Sequence, residues 1–443
     1  MIVEKKKVYI ETYGCQMNFS DSEIVGAILQ EHDYEPTGDM KTADLILMNT
    51  CSIRDNAEQR VRKRLNELHS LKRKNSSLRI GILGCMAERL KEKLLEEEKH
   101  IDLIVGPDGY RSLPQLLEQV DSGQKAINTL LSADETYADI NPVRLGSNGV
   151  SAFISIMRGC ENYCAYCVVP YTRGKERSRN PSSIVLEAHK LFEQGFREVT
   201  LLGQNVNSYR WEENGLPLEF PGLLEEVAGV NPMLRIRFAT SHPKDLSDDL
   251  LEVMATSPNI CRSVHLPVQS GSSRILKMMH RNYTREWYLE RVEAIRRYLP
   301  GCTITTDIIA GFCGETEKDH EETLSLMRLV AFDYAYMFKY SERPNTLAAK
   351  KFTDDVPEEV KSHRLEEIIA LQQELSLRSN RKDVDKDFEV LVEGFSRRSQ
   401  EELFGRTSGN KVAVFPKGIF KPGDYVKIRV KSCTGATLRG ICH

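Results

Sequence analysis

Between Ala152 and Lys339 the sequence repeats one phrase six times: a short apolar, β-branched run, then a longer stretch with helical spacing. Strands are predicted over 152–157, 198–202, 234–239, 263–266, 303–309 and 334–339. Helices are predicted near 181–194, 221–230, 247–257, 271–279, 284–298 and 317–330. Strands separated by helices pair in parallel, because a parallel neighbour needs a long crossover. Six such units predict a partial or full parallel barrel, with function at the C-terminal ends of its strands.

The loop after the first of these strands reads Arg158-Gly159-Cys160-Glu161-Asn162-Tyr163-Cys164-Ala165-Tyr166-Cys167. Its C-x3-C-x2-C spacing offers three thiolates, where a cubane iron–sulfur cluster normally takes four. Three would leave one iron open to a small molecule. A closed zinc site would instead show two C-x2-C pairs or added histidines. No fourth cysteine or histidine lies within twenty residues on either side. An iron–sulfur site is the favoured reading, with zinc and unliganded thiols as the alternatives.

The 443 residues are 40% hydrophobic and carry a net charge of −3, the balance of a water-soluble chain with enough apolar content for sizeable cores. No apolar run approaches a membrane span, and the start, Met1-Ile2-Val3-Glu4-Lys5, runs straight into a strand pattern, so no signal peptide is expected. The expected location is the cytoplasm, where disulfides are rare and eleven cysteines call for another use. Charge is unevenly spread. Residues 158–179 hold five Lys/Arg against two Glu, and residues 384–443 hold eleven against seven Asp/Glu. Local positive charge suits a polyanionic partner, although a solvated face is the bland reading.

Nearer the N-terminus, strands predicted at 7–15, 43–50 and 79–84 each run out into a cysteine: Cys15, Cys51 and Cys85, 36 and 34 residues apart. A fourth strand is expected at 101–106, with helices between. In an open parallel α/β sheet the C-terminal strand ends converge on one edge. The three thiols would then meet there, as a second three-thiolate site built by the fold; three buried structural cysteines are the plain alternative. Turn formers between 123 and 145 predict a linker.

The later strands of the central repeat also end in polar or glycine-bearing loops: Gly203-Gln204-Asn205, Ser241-His242, Gln269-Ser270-Gly271 and Gly311-Phe312-Cys313-Gly314. Such loops suit a ribose or an amino-acid zwitterion. His242 is expected to brace its loop and His265 to be a core or layer residue. Cys261, Cys302, Cys313, Cys433 and Cys442 are expected to be inert. A connecting helix is expected at 357–380. The tail reads as five short strands at 388–394, 404–407, 412–415, 425–430 and 436–440, a small barrel of the oligonucleotide-binding kind. Phe404, Arg406, Lys411, Phe415 and Arg439 are its candidate stacking and phosphate contacts, together with Arg173 and Arg177 upstream.

The C-x3-C-x2-C run with Tyr166 before its last cysteine resembles the radical S-adenosylmethionine superfamily. Cys15, Cys51 and Cys85, then Cys160/Cys164/Cys167, then the tail barrel, resemble in that order the methylthiotransferases. Glu11-Thr12-Tyr13-Gly14-Cys15-Gln16-Met17-Asn18, Asn49-Thr50-Cys51-Ser52-Ile53-Arg54 and Gly84-Cys85-Met86-Ala87-Glu88-Arg89 resemble the MiaB branch, which acts on dimethylallyladenosine in tRNA. Related branches act on threonylcarbamoyladenosine in tRNA or on a ribosomal protein. Those, and a non-enzymatic metal-containing RNA-binding protein, are the alternatives. Cys313 stands where the family usually has proline.

The resemblance implies an α/β chain: an N-terminal open parallel sheet domain (5–122), a linker (123–145), a partial (β/α)6 radical S-adenosylmethionine core with a connecting helix (146–380), and an all-β TRAM barrel (381–443). It implies two [4Fe-4S] clusters, on Cys15, Cys51 and Cys85 and on Cys160, Cys164 and Cys167. S-adenosylmethionine would be held near Tyr166, Gly203, Gln204, Asn205, Ser241 and Gln269, and would serve as methyl donor and radical source. The partners implied are a tRNA anticodon stem-loop and a low-potential donor such as a flavodoxin or ferredoxin. A monomer with no membrane contact is expected.

Overall fold

The computed structural model describes residues 5–52 and 55–442. Ile53 and Arg54 of the second cysteine motif lie outside the described residues. The chain divides into two compact units. The first comprises 1–146, 157–161 and 167–179; the second comprises 147–156, 162–166 and 180–443.

The first unit is built on a six-stranded, all-parallel sheet in the order β2-β1-β3-β4-β5-β6. Its strands are β1 (Lys6–Thr12), β2 (Tyr34–Pro36), β3 (Leu45–Thr50), β4 (Arg79–Gly84), β5 (Leu103–Val105) and β6 (Ala126–Asn128). The helices are α1 (Gln16–Gln30), α2 (Asp55–Lys74), α3 (Cys85–Leu90), α4 (Glu92–Glu97) and α5 (Leu113–Asp121). Both sheet faces are covered, and the two-residue period of β3 shows how. Leu45 and Leu47 pack in one core with Val25, Leu29 and Leu113. Ile46 and Met48 pack in the other with Val61, Leu65 and Leu68. Each fully buried aliphatic side chain contributes about 1.5–3 kcal/mol, so two such layers hold the sheet firmly.

Two short strands of this sheet escaped the sequence reading. β2 and β6 have three residues each, too few to show a periodicity. β6 lies in the stretch expected to be a linker. That stretch belongs to the domain: Tyr137 is buried, and Val143 N–H donates to the Glu23 carbonyl.

In the second unit, strands Ser151–Ser155, Glu198–Leu202 and Arg235–Ala239 pair in parallel, as do Ser263–His265, Thr303–Ala310 and Tyr334–Lys339. With the helices between them they form the expected partial (β/α)6 barrel. An antiparallel hairpin, Arg210–Glu213 with Leu216–Glu219, turns at Asn214-Gly215 and was not anticipated. The connecting helix spans Glu358–Arg381, and five strands from Asp387 to Cys442 close the terminal barrel.

Arg235 and Arg237, on the third core strand, fasten that small barrel within the unit. Arg235 Nη1 donates to the Arg406 carbonyl at 2.8 Å. Arg237 Nη2 donates to the Thr407 carbonyl at 2.8 Å, and its Nε meets the Glu198 carboxylate at 2.8 Å. Removing one member of a buried ion pair leaves the other charge uncompensated, at about 3–5 kcal/mol. R237M is therefore expected to lower the unfolding midpoint of the full chain in a thermal melt and to make the terminal barrel the first site of limited proteolysis; R237K should lose less.

Candidate active site

At the C-terminal edge of the parallel sheet, three loops meet. β1 ends at Thr12, and Cys15 is the N-terminal flanking residue of α1. Cys51 directly follows β3, and Cys85 directly follows β4 and opens α3. Two glycines allow the approach. Gly14 has φ +125°, and a side chain there would place its Cβ 2.5 Å from Cys51 Cβ. Gly84 has φ +87°, and a Cβ there would lie 2.4 Å from Asn49 Oδ1 and 2.7 Å from the Thr50 carbonyl. Only glycine accepts both the backbone and the space.

A buried amide network fixes the same loops. Asn18 Nδ2 donates to Asn49 Oδ1 at 3.1 Å and to the Thr50 carbonyl at 3.0 Å. Asn49 Nδ2 donates back to the Asn18 carbonyl at 2.8 Å and to Ser22 Oγ at 3.0 Å. Thr50 Oγ1 donates to the Leu83 carbonyl at 2.7 Å. The sequence motifs therefore hold more than their cysteines: Asn18, Asn49 and Thr50 are the struts between them.

The thiols differ in environment. Cys15 is exposed, whereas Cys51 and Cys85 are buried. Hydrogen bonding from Cys51, helped by the nearby Arg173 charge, pushes the Cys15 thiol down to about 6. Burial pushes the Cys85 thiol up, partly offset by Arg173. A set with one thiolate formed at neutral pH and two further thiols beside it fits a soft, thiolate-binding group. Among the described residues, no three His, Cys, Asp or Glu side chains stand close enough together to hold a metal ion as they are placed. The fit thus rests on the donor chemistry and on the pinched loops.

The second cysteine run follows strand Ser151–Ser155. Cys160 and Cys167 belong to the first unit and Cys164 to the second. Within the first unit, Cys160 N–H donates to the Gly174 carbonyl at 3.2 Å. Around it, two buried carboxylates gather three arginines. Asp21, on α1, pairs with Arg158 at 2.9 Å and Arg173 at 2.8 Å, and Asp108 pairs with Arg177 at 2.9 Å. Burial alone would raise the Asp21 carboxyl, but Arg158 and Arg173 outweigh it and hold it below the usual carboxylate range. Arg173 and Arg177 were expected to touch RNA. Both are buried and held by carboxylates, so they do not present their charge to a polyanion.

Within the second unit, Cys164 is buried beside a cation. Arg281 Nη1 lies 3.4 Å from its sulfur, and the same guanidinium donates to the Pro267 carbonyl at 2.7 Å. His242 Nε2 stands 4.0 Å from that sulfur. Burial, with Arg281 nearby, keeps this histidine neutral far below its ordinary range. Arg281 escaped the sequence reading; its only mark was a lone arginine after a helix.

The strand-end loops of this unit hold polar atoms that lack partners. Gln204 Oε1 and Ser241 Oγ are buried without a hydrogen bond. Leaving such groups unmatched is costly, so they point to a polar ligand. Gly203 is buried beside Gln204. Asn205 is committed to bracing: its Nδ2 donates to Asp245 at 2.7 Å and its Oδ1 accepts from His242 N–H at 3.0 Å. Tyr166, half-buried, has its hydroxyl 3.5 Å from Arg281 Nη1. Tyr163, Thr240 and Gln269 hold positive φ without being glycine. Such strain clusters at ligand sites. These features fit an amino-acid and nucleoside ligand.

The remaining cysteines outside the terminal barrel are poor ligands. Burial pushes the Cys261 thiol up to about 11 and the Cys302 thiol to about 12, and Cys313 is buried beside Tyr340. His265 is half-buried and contacts Thr305 and Asp307.

In the terminal barrel, Phe415 is a core residue and cannot stack on a base. Lys411 is held by Asp383 at 2.6 Å and is mostly covered. Phe404 is half-buried beside Gly394. Arg406 and Arg439 are more open, with Glu393 at 3.2 Å and Glu402 at 3.3 Å as partners. The sequence reading missed Phe395, which is exposed and carries Lys417 5.1 Å above its ring, next to exposed Arg397 and Arg398.

A thiol with this environment has a direct chemical signature. In metal-free protein, iodoacetamide modification followed by peptide mass spectrometry should label Cys15 first, with a rate that rises through about pH 6. Cys261 should stay unlabelled, and C51A should move the Cys15 midpoint upward.

Comparison with known proteins agrees with this architecture. The family described as "Uncharacterized protein family UPF0004" matches residues 7–106, the Radical SAM superfamily matches 154–327, and the TRAM domain matches 381–442. A tRNA-2-methylthio-N(6)-dimethylallyladenosine synthase of Phocaeicola vulgatus is 58% identical over 99% of this chain and 96% of its own length. Its counterpart in Amoebophilus asiaticus is 58% identical over 99% of this chain and 93% of its own. Among solved structures, the radical S-adenosylmethionine methyltransferase TsrM of Kitasatospora setae shares the fold. It has a TM-score of 0.57 at 14% identity, covering 77% of this chain and 74% of that one. With near-full-length identity of this order, and all three domains present in the order that the cysteine sites require, the chain belongs to the tRNA-2-methylthio-N(6)-dimethylallyladenosine synthase family of radical S-adenosylmethionine enzymes.

Proposed function

We propose that this enzyme replaces the C2 hydrogen of N6-(dimethylallyl)adenosine, at position 37 beside the tRNA anticodon, with a methylthio group. The observation that carries the reading is the placement of Cys15, Cys51 and Cys85 just after the ends of three neighbouring parallel strands, with Gly14 closing on Cys51, in a chain that also holds the Cys160/Cys164/Cys167 run. A chain needing only a radical would have no use for the first set. When bound, a [4Fe-4S] cluster on each set supplies, with S-adenosylmethionine, the electron and radical for opening the C2–H bond and a soft site for the sulfur.

The chain's own residues bind and orient. Cys160, Cys164 and Cys167 would hold the radical cluster, and three ligands would leave room for S-adenosylmethionine to bind there. Arg281 donates to the Cys164 sulfur and fixes its rotamer. Gln204 and Ser241 offer their unmatched oxygens to the zwitterion or ribose, with Gly203, Tyr166 and Gln269 completing the rim. Asn205 acts at one remove, positioning His242 and the loop after Ala239. His242, kept neutral, adds no second charge beside Arg281.

For RNA, Arg406, Arg439 and the group Phe395, Arg397, Arg398 and Lys417 present stacking and phosphate contacts on the terminal barrel. The partners are a tRNA anticodon stem-loop and a low-potential reductant such as a flavodoxin or ferredoxin, and the enzyme works as a cytoplasmic monomer. No helix among the described residues is long and apolar enough to cross a membrane.

The test is anaerobic reconstitution with iron and sulfide, then incubation with S-adenosylmethionine, a strong reductant and tRNA bearing dimethylallyladenosine. We expect 5'-deoxyadenosine and methylthiolated nucleoside together by mass spectrometry. C164A should abolish both, whereas C51A should keep 5'-deoxyadenosine and lose the methylthio product by at least about 100-fold, as expected where a residue has no substitute. Absence of 5'-deoxyadenosine from the unaltered enzyme would refute the reading.

A further inference from the structure

Arg173 ends the short helix α6 (Val169–Arg173), which follows the radical cysteines in sequence. That helix packs against α3, whose first residue is Cys85. The guanidinium is 3% exposed and uses one arm on Asp21, Nη2 to Oδ2 at 2.8 Å. Its other arm, Nη1, is buried without a well-formed hydrogen bond, and the guanidinium lies near enough to Cys85 to lower that thiol by side-chain hydrogen bonding. The same charge acts on both Cys15 and Cys85. A buried arginine with a poorly satisfied N–H group beside cysteine thiols is an expensive arrangement unless something anionic completes it.

We infer that Arg173 is a positioning residue for the group held by Cys15, Cys51 and Cys85: its Nη1 donates to the sulfur-rich, negatively charged assembly that those thiolates make, while Asp21 locks the other arm. The inference rests on the reading above that these cysteines hold a second iron–sulfur cluster. Hydrogen bonds to cluster sulfurs and nearby positive charge both raise a reduction potential, because reduction adds negative charge. Asp21 makes the arrangement directional. It fixes Arg173 from the side of α1, so the guanidinium cannot swing away from the thiols to find another acceptor. A lysine at this position would still neutralise Asp21. Its one ammonium group would be held there, leaving nothing directed at the sulfurs.

The full-length enzyme, reconstituted anaerobically, tests this by iron and sulfide analysis and by redox titration followed by electron paramagnetic resonance. The cluster whose signal changes on adding S-adenosylmethionine is the radical one; the other is the N-terminal one. In R173K we expect the N-terminal cluster to shift to lower potential while the radical cluster stays at the unaltered value. In R173M we expect the N-terminal cluster to lose iron on desalting while the radical cluster is retained. D21N, which breaks the ion pair but keeps the guanidinium, should leave the N-terminal potential no lower than in the unaltered enzyme. Thermal unfolding of the metal-free proteins separates folding defects from these effects.

If R173K behaves as the unaltered enzyme at both clusters, Arg173 is only the partner of Asp21 and the inference is overturned. If R173K fails to fold, the D21N potential decides: a fall below the unaltered value assigns the effect to the ion pair and overturns the inference, and an equal or higher value supports it. If the unaltered enzyme holds one cluster only, the two-cluster reading fails first, and this inference with it.

Discussion

Asp21 is a fully buried carboxylate shared by two arginines, and the first unit is organised around that shared charge. Taking three charges out of water is costly, and each is tolerable only because the others are there. The pairing also has a direction. Asp21 rides on α1, the helix that Cys15 introduces. Arg158 stands two residues before Cys160, and Arg173 six residues after Cys167. One buried carboxylate therefore ties the start of the first thiol set to both flanks of the loop that carries the second. Asp108 repeats the device with Arg177. Arginine suits this task because its fork can serve two partners at once.

Much of this was legible in the sequence, for reasons that differ by element. The parallel sheet and the six-unit barrel showed in the alternation of apolar runs and helical spacing, since a buried parallel strand must be apolar along its length. The placement of Cys15, Cys51 and Cys85 along one sheet edge followed from topology, because each comes just after the C-terminal end of a parallel strand. Three-residue strands such as Tyr34–Pro36 and Ala126–Asn128 did not show. They are specified by neighbours already in place, not by their own pattern.

The arginines show the limit most clearly. Arg173 and Arg177 sit in a basic stretch, and charge in sequence reads as charge on a surface. Their partners, Asp21 and Asp108, lie 152 and 69 residues away, so only the fold could show that both are internal. The same applies in the terminal barrel, where alternation along Val412–Pro416 turns Phe415 into the core. Conversely, Phe395 lies just past the strand expected at 388–394 and drew no notice, yet it faces water beneath Lys417. Residue type proposes a role; register and distant partners decide it.

The proposed activity requires two separate three-thiolate sites in one chain, one from a local loop and one from the edge of a sheet. Iron quantification with Mössbauer spectroscopy on the full chain, comparing the unaltered protein with the triple variants C15A/C51A/C85A and C160A/C164A/C167A, addresses it directly. The account predicts about eight irons in the unaltered protein and about four in each variant, all as [4Fe-4S], because each site stands on its own ligands. About four irons in the unaltered protein, with none left in C160A/C164A/C167A, would contradict it.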